Sequence, residues 1–356
     1  MLFSKFFRFN ALSSLLFATL FSLSFTPSRA SDAAASTDST AKEEFNITEM
    51  ILHHIADAHD WHLYDVTHED GSVHAVSIPL PVILYTEGNL DIFMSSAFHH
   101  GESTVIKGDR EYAYDHGHIK ELSGKKVLDF SITKNVASML IGVSLLLILF
   151  ISAARSYANS VPTGLARFLE PLVLFVRDDI AIPNIGEAKY KKYMPYLLTV
   201  FFFIWINNLL GLIPSGANFT GNIAVTLTLA AITMIITNVS GTKTYWGHIF
   251  TPHVPFWLYP IMIPVEIIGV ISKPFALTIR LFANITAGHI IILSLVSLIF
   301  IFKSVFISPV SVGFVLFMSF LELLVAALQA YVFTLLSALF IGLALEEPHH
   351  DHDHAH

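Results

Sequence analysis

The chain has 356 residues, of which 54% are hydrophobic and only 13% are charged, and its mean hydropathy is +0.62. Soluble globular proteins carry about 25% charged residues, so this composition excludes an ordinary soluble domain and indicates a polytopic membrane protein. The formal net charge of −8 reveals little about partners, because the acidic residues gather in the polar terminal segments. The sequence contains no cysteine, which excludes disulfides and thiolate metal sites.

Residues 1–30 have the pattern of a secretory signal peptide. Lys5 and Arg8 precede an apolar run, residues 11–25, that is too short to span a bilayer comfortably, and the small residues Ser28 and Ala30 suit a cleavage site. The stretch has no acidic residue, so a mitochondrial transit peptide is an alternative, but such peptides are amphipathic and this run is uninterrupted. Cleavage places the mature N-terminus outside the cytoplasm.

Residues 31–134 form a polar, acidic, histidine-rich segment without a spanning stretch. The low-complexity residues 31–42 predict a flexible tether, and residues 44–58 predict a short helix. From Trp61 to Leu128, short apolar runs are broken by Gly and Asp, which favours short strands in a small β-rich domain. We therefore expect an extracytoplasmic domain ahead of the membrane domain, residues 135–347, and a His/Asp-rich tail, residues 348–356.

Six apolar blocks follow residue 134, and five of them predict transmembrane helices. The last two blocks, of 28 and 35 residues, exceed the roughly 20 residues that a span needs, so we expect a strongly tilted C-terminal hairpin. The fourth block is short and broken by Pro260 and Pro264, and we interpret it as dipping into the bilayer without crossing it. The blocks are residues 136–153, 193–213, 223–239, 256–271, 275–302 and 311–345.

The loop between the first two blocks sets the predicted orientation. Residues 164–183 have apolar residues at helical spacing interrupted by charges, which predicts one amphipathic helix lying on the membrane interface. Residues 155–192 carry six Lys and Arg, the densest basic cluster near any span, so the positive-inside rule makes this loop cytoplasmic. The predicted fold is thus an all-α polytopic membrane protein whose C-terminus is also cytoplasmic.

Arg280 is the most informative residue, because it lies in the middle of the fifth apolar block. Arginine does not lose its proton at biological pH, and an Arg near the bilayer centre costs roughly 3 kcal/mol on insertion scales. At about 100° per residue, Asn284 lies on the same helix face, whereas His289 faces the opposite way. We expect an anionic partner for Arg280, which is Glu322, Glu266 or a group on another chain.

The other polar residues have structural interpretations as well. Lys273 precedes a proline, and we interpret it as a residue near a helix start that reaches the interface. Glu266 is equally compatible with a first-turn acid at a helix N-terminus. Asn208 and Asn284 are compatible with interhelical hydrogen bonds, and His289 with Glu322 forms a candidate buried pair.

Several motifs resemble subunit a of F-type ATP synthase, the stator channel beside the rotating c-ring. The resemblance covers residues 135–347, and the motifs fall in matching order and spacing. They are Ser-Lys-Pro-Phe-Ala-Leu-Thr-Ile-Arg-Leu-Phe-Ala-Asn-Ile-Thr-Ala-Gly-His at residues 272–289, Leu-Gln-Ala-Tyr-Val-Phe at 328–333, Asn-Leu-Leu-Gly-Leu-Ile-Pro at 208–214, and the interfacial segments 162–171 and 179–186.

The resemblance implies a role for each polar residue near Arg280. Arg280 would oppose the c-ring carboxylate, with Asn284 lining the same interface. His289 and Glu322 would form the proton relay of the half-channel open to the outer side, with Asn208 near that pathway. Some members carry an acid where Gly211 stands, so any proton-carrying role is absent there.

Two further roles and the partners also come from the resemblance. Glu266 would belong to the cytoplasmic half-channel, and Gln329 would face the arginine. The implied partners are the c-ring, the subunit b peripheral stalk, the rest of the complex and membrane lipid, with no nucleic acid and no cofactor. The implied location is a bacterial inner membrane. The extramembrane residues 31–134 and the tail 348–356 depart from the usual pattern, and the sequence does not discriminate H⁺ from Na⁺ coupling.

Two other function classes fit the sequence less well. A metal-ion transporter is the alternative, because ten histidines lie in residues 31–134 and five in the tail, and weak metal binding there is a separate expectation. Its intramembrane path would have only His289, Glu266 and Glu322 as ligands, next to a repelling arginine. An intramembrane enzyme lacks support, since no Ser–His or paired-Asp motif lies in the apolar blocks and no phosphate loop is present. We predict a non-catalytic subunit without a nucleotide site.

Overall fold

The computed structural model of the protein describes residues 57–67, 73–101, 103–115, 117–157, 164–213, 216–252, 254–302 and 307–346. The predicted signal peptide, the tether and the histidine-rich tail lie outside the described residues, as does almost all of the predicted helix 44–58.

The extramembrane segment is built from eight short strands, which confirms the β-rich prediction. They form three small antiparallel sheets, with strand orders β1-β2, β4-β3-β8 and β5-β6-β7. The strands are β1 (Asp60–Thr67), β2 (Val73–Pro79), β3 (Pro81–Thr86), β4 (Asn89–Met94), β5 (Val105–Lys107), β6 (Arg110–Asp115), β7 (His118–Glu121) and β8 (Leu128–Asp129).

Buried and outward-facing residues alternate along β3, and the buried ones form part of the core of this domain. Val82, Leu84 and Thr86 are fully buried, while the intervening residues face outward, as period-two alternation requires. The phenol of the buried Tyr112 donates a hydrogen bond to Asp91 Oδ2 at 2.7 Å, and Arg110 pairs with Asp91 at 3.2 Å. A buried polar network of this kind satisfies the groups that the small core covers.

A histidine–aspartate pair connects the domain to the membrane region. His59 Nε2 lies 2.7 Å from Asp129 Oδ2, and the backbone amide of Ser131 donates to Asp129 Oδ1 at 2.8 Å. Burial opposes ionisation of Asp129, but the hydrogen bonds from His59 and Ser131 outweigh it and lower the pKa of this carboxyl. Lys134 N donates to Ala58 O at 2.8 Å, so this junction leads directly into the first membrane helix.

Five helices in the described residues are long and apolar enough to cross a membrane, which confirms the predicted number. The helices are α1 (Lys134–Ser156), α2 (Leu165–Phe175), α3 (Ile182–Ile185), α4 (Tyr190–Gly211), α5 (Ile223–Ser240), α6 (Lys243–Phe250), α7 (Tyr259–Phe302) and α8 (Ile307–Leu345), with the candidate spans being α1, α4, α5, α7 and α8.

Helix α4 lies at the centre of the bundle. Phe201, Phe202 and Phe203 are all buried, and Phe150 of α1 packs edge-on against Phe202 with ring centroids 5.1 Å apart. Helices α1 and α8 pack directly against α4, whereas α5 and α7 pack mainly against each other and against α8.

The interpretation of residues 256–271 as a separate segment that dips into the bilayer is wrong. Helix α7 begins at Tyr259 and continues without a break through Pro264 and Pro274 to Phe302. Proline is tolerated in membrane helices because neighbouring groups can satisfy the carbonyl that each proline leaves without its helical N–H donor. The interpretation of Lys273 as a helix-start residue is wrong for the same reason.

The two last helices are far longer than a bilayer is thick. Helix α7 has 44 residues and α8 has 39, which correspond to about 66 and 58 Å at 1.5 Å per residue. The hydrocarbon core measures about 30 Å, so each helix is long enough to cross it while strongly tilted, as the predicted hairpin requires. Ser311 Oγ donates to Leu295 O and ties the two arms near the turn.

The predicted interfacial helix consists of three consecutive pieces. Helix α2 leads into a π-helical turn, Val176–Ala181, and then into α3. Ala166, Leu169 and Val176 are buried against the bundle, whereas Phe168 is exposed, so the segment is amphipathic. Helix α6 is a short additional helix that the hydropathy of the sequence did not predict.

Substitution of Gly342 by alanine should destabilise the bundle, because the end of α8 lies directly on α3. A methyl group at Gly342 would overlap the backbone carbonyl oxygen of Asn184, which cannot move without displacing α3. We expect Gly342→Ala to cost about 1–3 kcal/mol and to lower the thermal midpoint of the detergent-solubilised complex. Gly313→Ala on the same helix is the control, since a methyl group there meets open space. Equal midpoints for the two variants would contradict this packing.

Substitution of Asp129 by asparagine should loosen the junction at neutral pH. The native pKa of Asp129 lies below its unfolded value of about 3.9, so its stabilising effect is present above that pH and is lost as the pH falls through the native pKa. At pH 7 we expect a loss of about 1–2 kcal/mol, seen as about 5- to 30-fold faster hydrogen exchange of the Phe130 and Ile132 amides in the full chain. The difference should shrink below about pH 4. Asp115→Asn is the control, because Asp115 pairs with Lys120 on an exposed surface, and it should leave these exchange rates unchanged. Equally faster exchange in both variants would refute the role of burial.

Candidate functional site

Arg280 lies on an outward face of α7, and no acidic group in the described part of the chain pairs with it. The residue is exposed, and among the described residues no carboxylate lies within 4.0 Å of its guanidinium. Asn284 is exposed on the same face, as predicted, and Ala276 and Ala283 beside it are exposed too. Small residues flanking a cation allow another helix to approach closely. Both intrachain partners considered for Arg280, Glu266 and Glu322, pair with histidines instead.

His289 and Glu322 lie together on the other side of α7. His289 Nδ1 is 4.0 Å from Glu322 Oε1, and the two side chains are only 14% and 8% exposed. Gly288 makes room for the carboxyl, because a Cβ there would come within 2.5 Å of Glu322 Oε1. The structure therefore brings this predicted pair together across the two arms of the hairpin and separates it from the face of Arg280.

Asn208 links three elements close to this pair. Its side-chain amide donates to Ala326 O of α8 at 3.1 Å, one turn from Glu322, and its carbonyl oxygen accepts from Thr220 Oγ1 at 2.7 Å. Thr220 belongs to a 3-10 turn, Phe219–Gly221, that follows α4. Asn208 is 2% exposed and its hydrogen bonds are interhelical, so its positioning role is clear from the geometry.

Glu266 lies on the same side of α7 as Lys273 and Arg280, at a spacing of seven residues. This spacing places the three residues along one stripe, about 10 Å apart at 1.5 Å per residue. Glu266 is in the eighth position of α7, so it is not a first-turn acid. Its Oε1 lies 3.8 Å from His248 Nδ1 of α6, and Lys273 Nζ lies 5.4 Å from the centre of the Phe340 ring.

Gln329 is buried at 3% exposure on α8. Within the described parts of the chain it forms no hydrogen bond with Arg280, and its place facing the arginine stays a prediction. Sequence reasoning also missed His248, Thr220 and Gly288. The histidine lies outside the apolar blocks, and no periodicity in the sequence marks its approach to Glu266.

The described histidines do not gather into a metal site. No group of three or more His, Asp or Glu side chains in the described residues could hold a metal ion. His59, for example, is buried against Asp129 and packs edge-on against Tyr114, with ring centroids 5.7 Å apart. The polar groups inside the bundle are instead arranged as separate pairs along the hairpin.

Comparison with known proteins agrees with this arrangement. The family model described as ATP synthase A chain matches residues 136–342, and a model described as a domain of unknown function (DUF8433) matches residues 50–138. An ATP synthase subunit a of Chloroherpeton thalassium is 50% identical over 237 residues, covering 64% of this chain and 71% of that protein. The subunit a of Myxococcus xanthus is 50% identical over 236 residues, covering 64% and 78%.

A third relative, an ATP synthase subunit a 2 of Prosthecochloris aestuarii, is 51% identical over 239 residues, covering 64% of this chain and 73% of that protein. The family model thus matches more than half of the chain. The matched part contains the exposed Arg280 and the carboxyl–histidine pairs of the hairpin. The chain belongs to the ATP synthase A chain family.

Substitution of Gly288 by alanine should disturb the His289–Glu322 pair without removing either group. The added methyl group would displace the Glu322 carboxyl, so we expect passive proton conduction of the membrane sector to fall by about tenfold or more, the scale of a mispositioned acid–base group. Conduction is measured in vesicles as proton uptake driven by a potassium diffusion potential. Gly269→Ala on the same helix meets open space and should conduct normally. Normal conduction by both variants would show that the carboxyl position is unimportant.

Proposed function

We propose that this chain is the proton-conducting stator subunit of the membrane sector of an F-type ATP synthase, with two offset half-channels that serve the carboxylates of a rotating c-ring. The observation that carries the proposal is Arg280, a permanent cation exposed on an apolar helix face with no carboxylate within 4.0 Å among the described residues. A charge in that position requires an anionic partner from outside the chain. Family membership supports the same role.

The partner carboxylate must be able to leave, which makes its binding to Arg280 temporary. When a protonated carboxyl approaches the guanidinium, the cation stabilises the anion and so promotes release of the proton. The same fixed charge repels a proton that would otherwise cross directly from one half-channel to the other. A passing helix can approach this face closely, because the side chains exposed beside Arg280 are those of Ala276, Ala283 and Asn284.

The outer half-channel is assigned to His289 and Glu322. Histidine titrates near neutral pH, and a carboxyl 4.0 Å away can exchange a proton with it through a small side-chain movement or one water. The side-chain amide of Asn208 donates to Ala326 O of α8, one helical turn from Glu322, and so fixes this part of α8. A proton from the outer solution would pass through this pair to a ring carboxylate, on the opposite side of α7 from Arg280.

The inner half-channel is assigned to the stripe that runs from Arg280 past Lys273 to Glu266. Its two ends are fourteen residues apart, which is about 21 Å along the helix. Glu266 is 29% exposed, so it connects the interior to water. Gln329 would line the interface near the arginine from α8, and Asn284 would line it from α7.

The wider setting follows from the same proposal. Each elementary charge that crosses the membrane supplies about 2.3 kcal/mol per 100 mV, so a rotor must gear several crossings to each ATP. The chain itself is then a non-catalytic subunit that works with the c-ring, the subunit b stalk and the rest of the complex. We place it in a bacterial inner membrane, with the β-rich domain periplasmic and the end of α8 cytoplasmic.

Replacement of Arg280 by alanine tests the proposal. We expect ATP synthesis driven by a proton gradient to fall to background, because a ring carboxylate loses the cation that ionises it, while the complex still assembles. The measurement is ATP synthesis and ATP-driven proton pumping in inverted vesicles. Arg177→Ala is the control, since Arg177 pairs with the adjacent Asp178 on an exposed surface. Retained ATP-driven pumping by Arg280→Ala would refute the assignment.

A further inference from the structure

Helix α6 is held rigidly against the ends of the hairpin arms. Thr242 caps it by accepting a hydrogen bond from Tyr245 N at 3.3 Å. The backbone amide of Thr242 donates to Ala344 O at 2.9 Å, and its hydroxyl donates to Glu346 O at 3.1 Å. The short helix is thereby fixed at the end of α8, and its side chains have defined positions relative to α7.

His248 is in the last turn of this helix and faces Glu266 across the gap to α7. Its Nδ1 lies 3.8 Å from Glu266 Oε1, just beyond hydrogen-bond distance. The imidazole is 67% exposed and the carboxyl 29%, so the histidine is the outer member of the pair. A small rotation of either side chain closes the gap, as catalytic hydrogen bonds often require.

Polar groups continue inward from Glu266. Tyr245 lies one turn before His248, and its hydroxyl donates to Asn238 Oδ1 at 3.1 Å. Burial raises the pKa of Tyr245, and the charge of nearby Glu266 raises it further, so the phenol stays protonated. Tyr245 also lines a small cavity with room for about one water, together with Thr237, Asn238, Lys273 and Phe340. Tyr245 and Glu266 are thus partly buried, whereas His248 is exposed.

We propose that His248 is the terminal proton-transfer residue of the inner half-channel, exchanging protons between Glu266 and the adjacent water. This inference rests on the proposed function and deepens it. Protonated Glu266 gives its proton to Nδ1 of the neutral imidazole, leaving a carboxylate and an imidazolium. The imidazolium then gives a proton to water or buffer, and the neutral ring returns. In ATP-driven pumping the same steps run in reverse.

Histidine suits this position better than the carboxyl alone. An imidazole has two ring nitrogens, so it can accept a proton on one and release a proton from the other. The titratable groups in the described part of its own helix and of the two helices packed against it are Lys243 and Tyr245 on α6, Tyr259, Glu266, Lys273, Arg280 and His289 on α7, and Glu322, Tyr331 and the following Glu346 on α8.

The test is passive proton conduction through the membrane sector of the intact complex, in inverted vesicles stripped of the catalytic sector and kept in weakly buffered medium. We expect His248→Ala and His248→Gln to conduct at least about tenfold more slowly than the wild type between pH 6 and 8. Millimolar imidazole added outside should restore the alanine variant. Lys243→Ala, an exposed cation on the same helix, should conduct normally.

Each other outcome has a distinct meaning. Wild-type conduction by both His248 variants would overturn the inference and leave the proposed channel intact. Slow conduction that imidazole does not restore would assign His248 a structural role and would also overturn it. A wild-type sector that conducts no protons would instead overturn the proposed function itself.

Discussion

The charge of Arg280 is the constraint on which the rest of this molecule depends. A guanidinium cannot be neutralised by losing its proton, and burying it unpaired in hydrocarbon is costly. In the described residues no carboxylate lies within 4.0 Å of the Arg280 guanidinium, and Glu322 and Glu266 lie beside His289 and His248 instead, at 4.0 and 3.8 Å. The arginine instead faces outward between small side chains. Such a surface is complete only when an acidic partner covers it.

Because α7 and α8 are so long, titratable groups can lie on both sides of Arg280 along the hairpin. A helix of 44 residues that crosses the bilayer at an incline carries polar groups at several depths. His289 and Glu266 are 23 positions apart, about 35 Å along the helix, and Arg280 lies between them. The two groups therefore lie on either side of Arg280 along one helix, and in the proposed channel the arginine keeps them electrically separate. Asn208 and Thr242 hold α8 at its middle and its end, which keeps this geometry fixed.

Much of this arrangement could be predicted from the sequence. Hydropathy gave the number of spanning helices, and helical spacing separated Arg280 from His289, because both depend on local properties of the chain. The merger of residues 256–271 into α7 could not be predicted from Pro260 and Pro264, since neighbouring helices satisfy the backbone groups that proline frees. The approach of His248 to Glu266 was also hidden, because it depends on how α6 docks.

The central claim is that the face of α7 around Arg280 meets an acidic, moving partner. The chain has no cysteine, so single cysteines can be introduced at will. Disulfide cross-linking should join Ala283→Cys or Asn284→Cys to a cysteine placed one helical turn from the acidic residue of a c-ring subunit in the assembled complex. Ile148→Cys, exposed on α1, should not cross-link. Cross-linking from position 148 together with none from positions 283 and 284 would contradict the account.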